Sequence, residues 1–281
     1  MIYLILTIIC SVLLFLVFKG FQNYNVETLP AIVVNYWVCV IIGVIASGTE
    51  VFSLWQDNFQ MVYYGIGLSF FFISSFFILA KTVAHFGISV ATVSQKMSMV
   101  LTIVYGYLAF TEKVSSLQFN GILLALLAMI LINIPNNNSF KSTNKRLLFL
   151  PVLLFVFNGV IETTLYHLER ANITSEMQIM TTYIFLFSGI LGTIILILIR
   201  RFPGRKEIVG GIVLGIPNFG SIYFLLMTIY SGMSASFLFP TNNISILILS
   251  SISAWIVFKE RLSKIKILGL IVGVLSILLL T

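Results

Sequence analysis

Long apolar runs dominate the chain, and their number and length constrain its fold more than any other feature. A membrane-spanning helix uses about 20 apolar residues, and the 281-residue sequence can be divided into ten such runs. In lipid, backbone polar groups must be satisfied internally, so that only helices and closed barrels can span. Because the runs have helix length, we predict an all-α membrane protein with ten transmembrane helices.

Short loops separate the predicted spans, which cover residues 2–18, 30–47, 61–80, 87–110, 117–134, 147–165, 178–199, 210–230, 233–258 and 265–280. No loop can hold a soluble catalytic or nucleotide-binding domain. Only 9% of the residues are charged, against about 25% in soluble domains. Cys10 and Cys39 lie inside apolar runs, which predicts neither a disulfide framework nor a metal site. We expect no cofactor.

Basic residues are distributed unevenly between the loops. Thirteen lie in odd-numbered loops: Lys19, Lys81, Lys141, Lys145, Arg146, Arg200, Arg201, Arg205, Lys206, Lys259, Arg261, Lys264 and Lys266. Lys113 and Arg170 lie in even-numbered loops, and Lys96 lies inside a span. Because positive loops stay in the cytoplasm, we predict cytoplasmic odd loops and external termini in a multi-pass plasma (inner) membrane protein. The net charge of +7 then reflects orientation, and we expect no nucleic-acid partner.

An internal repeat divides the sequence into residues 1–134 and 147–281, joined by a polar linker at 135–146. The segment FTEKVSSLQFNGILLALL recurs 148 positions later as FKERLSKIKILGLIVGVL. Its shared positions are Phe110, Glu112, Ser115, Gly121 and Leu127, which recur as Phe258, Glu260, Ser263, Gly269 and Leu275. Five spans per unit is an odd number, so the second unit enters the membrane inverted. Inverted repeats are typical of secondary transporters, which bind substrate near the midplane.

This pattern resembles the drug/metabolite transporter superfamily, EamA type. Each five-span unit ends in Phe-x-Glu-(Lys/Arg)-(Val/Leu)-Ser before a last helix that contains glycine. The resemblance implies a proton-coupled or exchange carrier, often an exporter, for small metabolites such as amino acids or for drugs. It departs from the family in two respects: the charge count places both termini outside, and span one lacks the embedded glutamate of the small four-helix relatives.

Polar residues inside spans four and six are candidate pathway residues. Lys96, with Gln95 beside it, lies about nine residues into span four, where an unpartnered charge costs about 2.5–3.5 kcal/mol or more. We expect it to face a cavity, unless span four begins late, near Val93, and Lys96 is interfacial. Asn158 and Glu162 share one face of span six. Burial would favour neutral Glu162, which predicts proton exchange or pairing with Lys96; the alternative is a place in the outer interface.

Spans eight and nine contain prolines next to amides. Pro240, Asn242 and Asn243 form the polar centre of span nine, at the place that corresponds to Lys96. Because proline removes a backbone donor, we predict helix breaks at Pro240 and at Pro217, although a packing kink would have the same sequence. Asn218 and Tyr223 in span eight are weaker candidates, Tyr223 also fitting an interfacial belt.

These residues predict a transporter rather than an enzyme. His85 and His167 lie at span ends, and no catalytic motif is present. We expect alternating access for a small, zwitterionic or anionic metabolite, because Lys96 would repel a lipophilic cation. Alternatives are multidrug or cation efflux, sugar uptake by a carrier of the same fold, an intramembrane enzyme, and a membrane scaffold without transport activity. Expected partners are the substrate, lipid and protons, in a monomer or weak homodimer.

Overall fold

A computed structural model describes residues 1–48, 59–86, 88–134, 147, 149–172, 177–259 and 263–280. These residues form eleven α-helices and contain no strand. In chain order they are α1 Ile2–Tyr24, α2 Thr28–Ser47, α3 Phe59–Phe86, α4 Ile88–Met97, α5 Met99–Phe110, α6 Ser116–Ile132, α7 Phe149–Arg170, α8 Met177–Leu198, α9 Arg205–Tyr230, α10 Ala235–Phe258 and α11 Lys264–Leu280. The predicted linker 135–146, Glu260, Arg261 and the first residue of predicted span four, Gly87, lie outside the described residues.

Seven helices in the described part of the chain are long and apolar enough to cross a membrane. They are the apolar stretches Ile2–Phe21, Thr28–Ser47, Val62–Leu79, Phe149–Arg170, Ile179–Leu198, Arg205–Tyr230 and Ala235–Val257. The shorter α6 and α11 have 17 residues each. Large apolar side chains such as Ile45 and Leu108 remain exposed, as expected for side chains that face lipid. These observations agree with the prediction of a helical membrane protein.

The break inside predicted span four falls at Ser98. This residue separates α4 from α5, keeps right-handed helical dihedrals, and donates its hydroxyl to the Gln95 carbonyl at 2.6 Å. The two predicted breaks at Pro217 and Pro240 are not found, because both prolines lie inside the continuous helices α9 and α10. α3 extends to Phe86, so that Lys81, which was expected in a loop, is an exposed helical residue.

The chain divides into two compact units, each containing helices from both sequence halves. The first unit comprises Met1–Ile73 and Leu168–Ser231, and the second comprises Ser74–His167 and Gly232–Thr281. In the first unit, α9 packs against α1, α2 and α8, and α2 also packs against α8. In the second unit, α6 packs against α11 and α4, and α10 packs against α5, α6 and α11.

Glycines allow the helices of the first unit to pack closely. A Cβ at Gly211 of α9 would lie 2.7 Å from the Ala31 carbonyl oxygen of α2, and one at Gly215 would collide with Val38. Small residues at such crossings let backbones approach, and close packing drives helix association where water cannot. Gly67 of α3 differs, since a Cβ there would meet no described heavy atom within 4 Å apart from the chain neighbours and nearby backbone of its own helix.

These contacts predict different effects for the same substitution at two helical glycines. Gly211→Val should destabilise the protein by about 1–3 kcal/mol, because the added atoms overpack a crossing whose nearest neighbours include backbone. Gly67→Val is the matched control and should leave stability near wild type. The apparent Tm of each purified variant, measured by thermal size-exclusion chromatography in detergent, tests this. Equal Tm values for the two variants would contradict the predicted crossing.

Candidate functional site

Six of the sequence-predicted pathway residues lie on α4, α7 and α10 of the second unit; five of them each contact another member, and Asn242 precedes Asn243 in α10. α4 contributes Gln95 and Lys96, α7 contributes Asn158 and Glu162, and α10 contributes Asn242 and Asn243. We call this group the polar cluster. Its members lie within apolar helices. Lys96 follows the first residue of α4, Ile88, by eight positions, or about 12 Å at 1.5 Å per residue.

Lys96 and Asn243 form a reciprocal contact between α4 and α10. The Lys96 ammonium donates to the Asn243 Oδ1 at 3.3 Å, and the Asn243 amide donates to the Lys96 carbonyl at 3.4 Å. The second bond satisfies a carbonyl next to the helix break, while the first gives the ammonium an oxygen partner. One amide therefore supports both the cation and the backbone that carries it.

Glu162 supplies the opposite charge. Its Oε2 lies 3.5 Å from the Ser98 hydroxyl, its carboxylate also accepts from the Asn243 side chain, and it lies close enough to Lys96 for electrostatic attraction. Lys96 and Glu162 are both half-buried. Because a lone charge in the middle of a span costs about 2.5–3.5 kcal/mol or more, each of these groups reduces the cost of burying the other.

The amides extend the polar cluster along α7 and α10. Gln95 donates to the Asn158 Oδ1 at 3.1 Å, and the Asn158 amide donates back to the Leu154 carbonyl at 2.9 Å. Asn242 is only 7% exposed, and no described residue gives a hydrogen bond to its Oδ1. The Thr241 Oγ1 beside it has no described partner either. Such buried acceptors are costly unless they are satisfied, and a donor on a ligand would satisfy them.

The remaining candidates lie in the first unit. Asn218 donates to the Asn35 Oδ1 at 3.2 Å, and the Cys39 thiol donates to the Gly215 carbonyl at 3.3 Å. Tyr223 stacks on Phe219 at 6.1 Å between ring centroids. Asn218 and Tyr223 therefore share a helix, α9, that also contains Pro217, and they contact residues of their own unit. Among the described residues, no group of three or more His, Cys, Asp or Glu side chains could hold a metal ion.

Glu112 of the repeated segment contacts the start of α10. The carboxylate of Glu112 accepts from the Ala235 N–H at 2.8 Å and from the Tyr166 hydroxyl. Ala235 is the first residue of α10. A carboxylate there satisfies an unpaired N–H and opposes the positive end of the helix dipole. Glu112 therefore holds the start of α10, the helix that carries Asn242 and Asn243.

Comparisons with known proteins establish the fold but do not identify a family. No protein-family model matches the chain. An uncharacterized protein of Haemophilus influenzae is 27% identical over 282 residues, which cover 98% of this chain and 95% of the relative. A solved structure, described only as the crystal structure of a protein, matches with a TM-score of 0.80 at 13% identity, over 98% of this chain and 95% of the other. At that identity the likeness concerns the fold alone.

The Glu112 contact predicts a loss of stability when the acceptor is removed. Glu112→Ala should cost about 1–3 kcal/mol, because a buried N–H and a buried hydroxyl lose their charged acceptor. Glu112→Gln keeps an oxygen acceptor and should fall between Ala and wild type. Lys113→Ala, at the exposed neighbouring residue, should have little effect. Tm measurements in detergent test this order, and an unchanged Tm for Glu112→Ala would contradict it.

Proposed function

We propose that the chain is a secondary transporter of the drug/metabolite transporter superfamily, EamA type, with ten spans in two inverted repeats. The polar cluster carries the proposal, because an ammonium, a carboxylate and amides converge where apolar helices would otherwise have no use for them. Ionisable residues inside spans commonly mark substrate or ion pathways. The geometry therefore favours transport over a purely structural membrane protein.

Helix contacts support the inverted repeat, because equivalent residues exchange their partners. Gly43 of α2 faces Thr182 of α8, and Gly192 of α8 faces Val33 of α2. The offset of 149 relates Gly43 to Gly192 and Val33 to Thr182. A two-fold relation between the repeats requires such pairs of contacts, whereas chance similarity between apolar helices gives no reason for them.

The second unit has the same kind of exchanged contact. Gly121 of α6 faces Leu280 of α11, and Gly269 of α11 faces Ile132 of α6. An offset of 148 positions relates Gly121 to Gly269 and Ile132 to Leu280. Helix ends agree as well, since α5 and α10 stop one residue before Thr111 and Lys259, which have φ of 51° and 54° and are also 148 positions apart.

Lys96 and Asn243 occupy equivalent positions in this scheme. An offset of 147 relates Gln95 to Asn242 and Lys96 to Asn243, and the latter two contact each other. A residue that contacts its own equivalent lies near the two-fold axis, which in inverted-repeat carriers passes near the membrane midplane. This position suits a substrate that must be reached alternately from the two sides.

The charges of the polar cluster favour a zwitterionic or anionic metabolite such as an amino acid. Lys96 would bind a carboxylate of the substrate, Glu162 would bind an ammonium or a proton, and the amides of Asn158 and Asn242 would orient the molecule. In the empty state Lys96 and Glu162 balance each other. When a zwitterionic substrate binds, its carboxylate would take the place of Glu162 beside Lys96, and its ammonium would take the place of Lys96 beside Glu162. Each buried charge would then keep an opposite charge next to it.

We expect transport to depend on both charges. Lys96→Met and Glu162→Gln should each abolish or uncouple transport, because each leaves the other charge without its partner. Lys81→Met, which removes an exposed lysine from α3, is the matched control and should retain wild-type transport. The measurement compares metabolites inside and outside cells that lack the protein or overexpress each form. At equal membrane levels, the compound moved by wild type should not move with the two variants.

Full transport by both Lys96→Met and Glu162→Gln would contradict a pathway role for these residues and leave them only a structural one. If no compound differs between cells that lack the protein and cells that overexpress wild type, the transport proposal itself fails. Membrane levels are measured by fluorescence of a carboxyl-terminal fusion in the same cells, so that loss of protein is distinguished from loss of activity.

Orientation and inversion have a joint test at two equivalent positions in the plasma membrane. Ser116 and Lys264 are the exposed first residues of α6 and α11 and lie 148 positions apart. Inverted repeats place them on opposite sides, and the excess of basic residues in odd loops places Lys264 in the cytoplasm. In a background without Cys10 and Cys39, Ser116→Cys should react with an impermeant thiol reagent in intact cells, whereas Lys264→Cys should not.

The four labelling outcomes are distinct once both variants are shown to react in permeabilised cells. Labelling of Lys264→Cys alone would keep the inversion and reverse the orientation. Equal labelling of both variants, or of neither, would place the two positions on one side and contradict the inverted repeat.

A further inference from the structure

The second unit contains three polar contacts in register between α7 and the stretch from Ser98 through α5. Ser98 Oγ lies 3.5 Å from Glu162 Oε2, Thr102 Oγ1 lies 3.1 Å from Thr163 Oγ1, and the Tyr105 hydroxyl lies 2.7 Å from His167 Nδ1. We call these contacts the polar ladder. They run from the polar cluster toward the ends of α5 and α7, and the polar cluster does not need the last two.

The ladder differs from the hydrogen bonds that some other buried threonines make. The hydroxyls of two other buried threonines bond to the carbonyl four residues earlier in their own helix: Thr82 bonds to Ile78 and Thr228 bonds to Phe224. Thr102 and Thr163 instead bond to each other across two helices, although Thr102 is fully buried. A chain of such contacts between apolar helices suggests a use for exchangeable protons.

We propose that the polar ladder conducts protons between Glu162 and the end of α7. The inference rests on the proposed function and specifies the proton route that such a carrier would use. Each side chain of the ladder other than Glu162 can release the proton of an O–H or N–H while a lone pair of the same side chain accepts another proton. Along the stretch from Ser98 through α5 the contacts lie four and three residues apart, or roughly 6 and 4.5 Å along the helix. One or two bridging waters per gap can cover these distances.

The transfer balances without any other reactant. A proton from water binds the His167 ring, the ring releases its other proton to the Tyr105 hydroxyl, and successive hydroxyls and bridging waters each accept one proton and release one. The last release, from Ser98, converts the Glu162 carboxylate to a carboxylic acid. Only O–H and N–H bonds form and break. Reorientation of the hydroxyls and return of the His167 ring to its first tautomer then restore the starting state.

Ser98 can serve both protonation states of Glu162. Its hydroxyl lies 2.6 Å from the Gln95 carbonyl and 3.5 Å from Glu162. It can therefore donate to Gln95 while accepting from protonated Glu162, or donate to the ionised carboxylate. Titratable groups near the ladder in the described residues include Lys96 beside Glu162 and, at the other end, Glu112, which bonds to Tyr166.

The ladder leads toward the side of the even-numbered loops, because α5 and α7 both end there. The basic-residue count predicts that this side is outside. Protons would then enter Glu162 from the outer surface, which is the direction of the proton gradient across a bacterial plasma membrane. His167 is half-buried, whereas Thr102 is fully buried, so His167 suits the entrance.

The rate of Glu162 protonation after a pH jump tests the ladder without any substrate. Full-length protein in liposomes is followed by time-resolved infrared difference spectroscopy, and the carboxylic acid band of Glu162 is assigned by its absence in Glu162→Gln. Thr102→Val and Thr163→Val should each slow its appearance by about tenfold, equivalent to about 1.4 kcal/mol in barrier height, with an unchanged final amplitude. His167→Gln should slow it as well.

Two controls separate proton conduction from folding. Thr102→Ser and Thr163→Ser retain the hydroxyl and should keep the wild-type rate. Thr228→Val makes the same isosteric change at a threonine bonded within its own helix and should also have no effect. Wild-type rates in both valine variants, equal slowing by Thr228→Val, or no pH-dependent Glu162 band would overturn the ladder.

The ladder and the transport proposal can fail separately. Slow protonation in the valine variants together with no transported compound would keep the ladder and reject the transporter. A transported compound together with wild-type protonation rates in those variants would keep the transporter and reject this proton route.

Discussion

The burial of two opposite charges in apolar helices is the constraint on which the rest of the second unit depends. Lys96 and Glu162 would each be costly alone, and neither helix can compensate its own charge. To bring the two charges together, α4, α7 and α10 must pack against one another at the depth of Lys96 and Glu162. Asn243 of α10 bonds to both residues there. Ser98, at the break between α4 and α5, adds a hydroxyl next to the Glu162 carboxylate.

Close helix packing holds this arrangement in place without help from the hydrophobic effect, which is weak between helices in lipid. In the second unit, glycine crossings join α6 to α11. Glu112 adds a polar tie at the start of α10. The helices that carry the site are thus also stabilised by contacts away from it. At some of these contacts a glycine is needed, because a larger side chain would keep the helices apart.

Sequence reasoning found the residue types of the site but not all of its geometry. The apolar runs predicted the helices, and the cost of a buried charge singled out Lys96, Glu162 and the amides that the structure brings together. The break at Ser98 escaped notice because serine lacks the strong signal of proline. Pro217 and Pro240 gave that signal, yet neighbouring packing accommodates one missing donor inside α9 and α10. The partner of Glu112 was out of reach, since Ala235 lies 123 positions away.

If the proposed inverted repeat arose by duplication, the contact between Lys96 and Asn243 has a consequence for how the two copies can diverge. Immediately after a duplication, equivalent residues near the axis would have been identical and would have faced each other. Two lysines there would repel inside lipid, and two asparagines would provide no charge. A chain that keeps one fixed cation at its centre must therefore become asymmetric where its halves meet. The lowest sequence similarity between the halves is thus expected near the axis. Residues such as Gly121 and Gly269 can stay identical, because each lets its helix pack closely against the other.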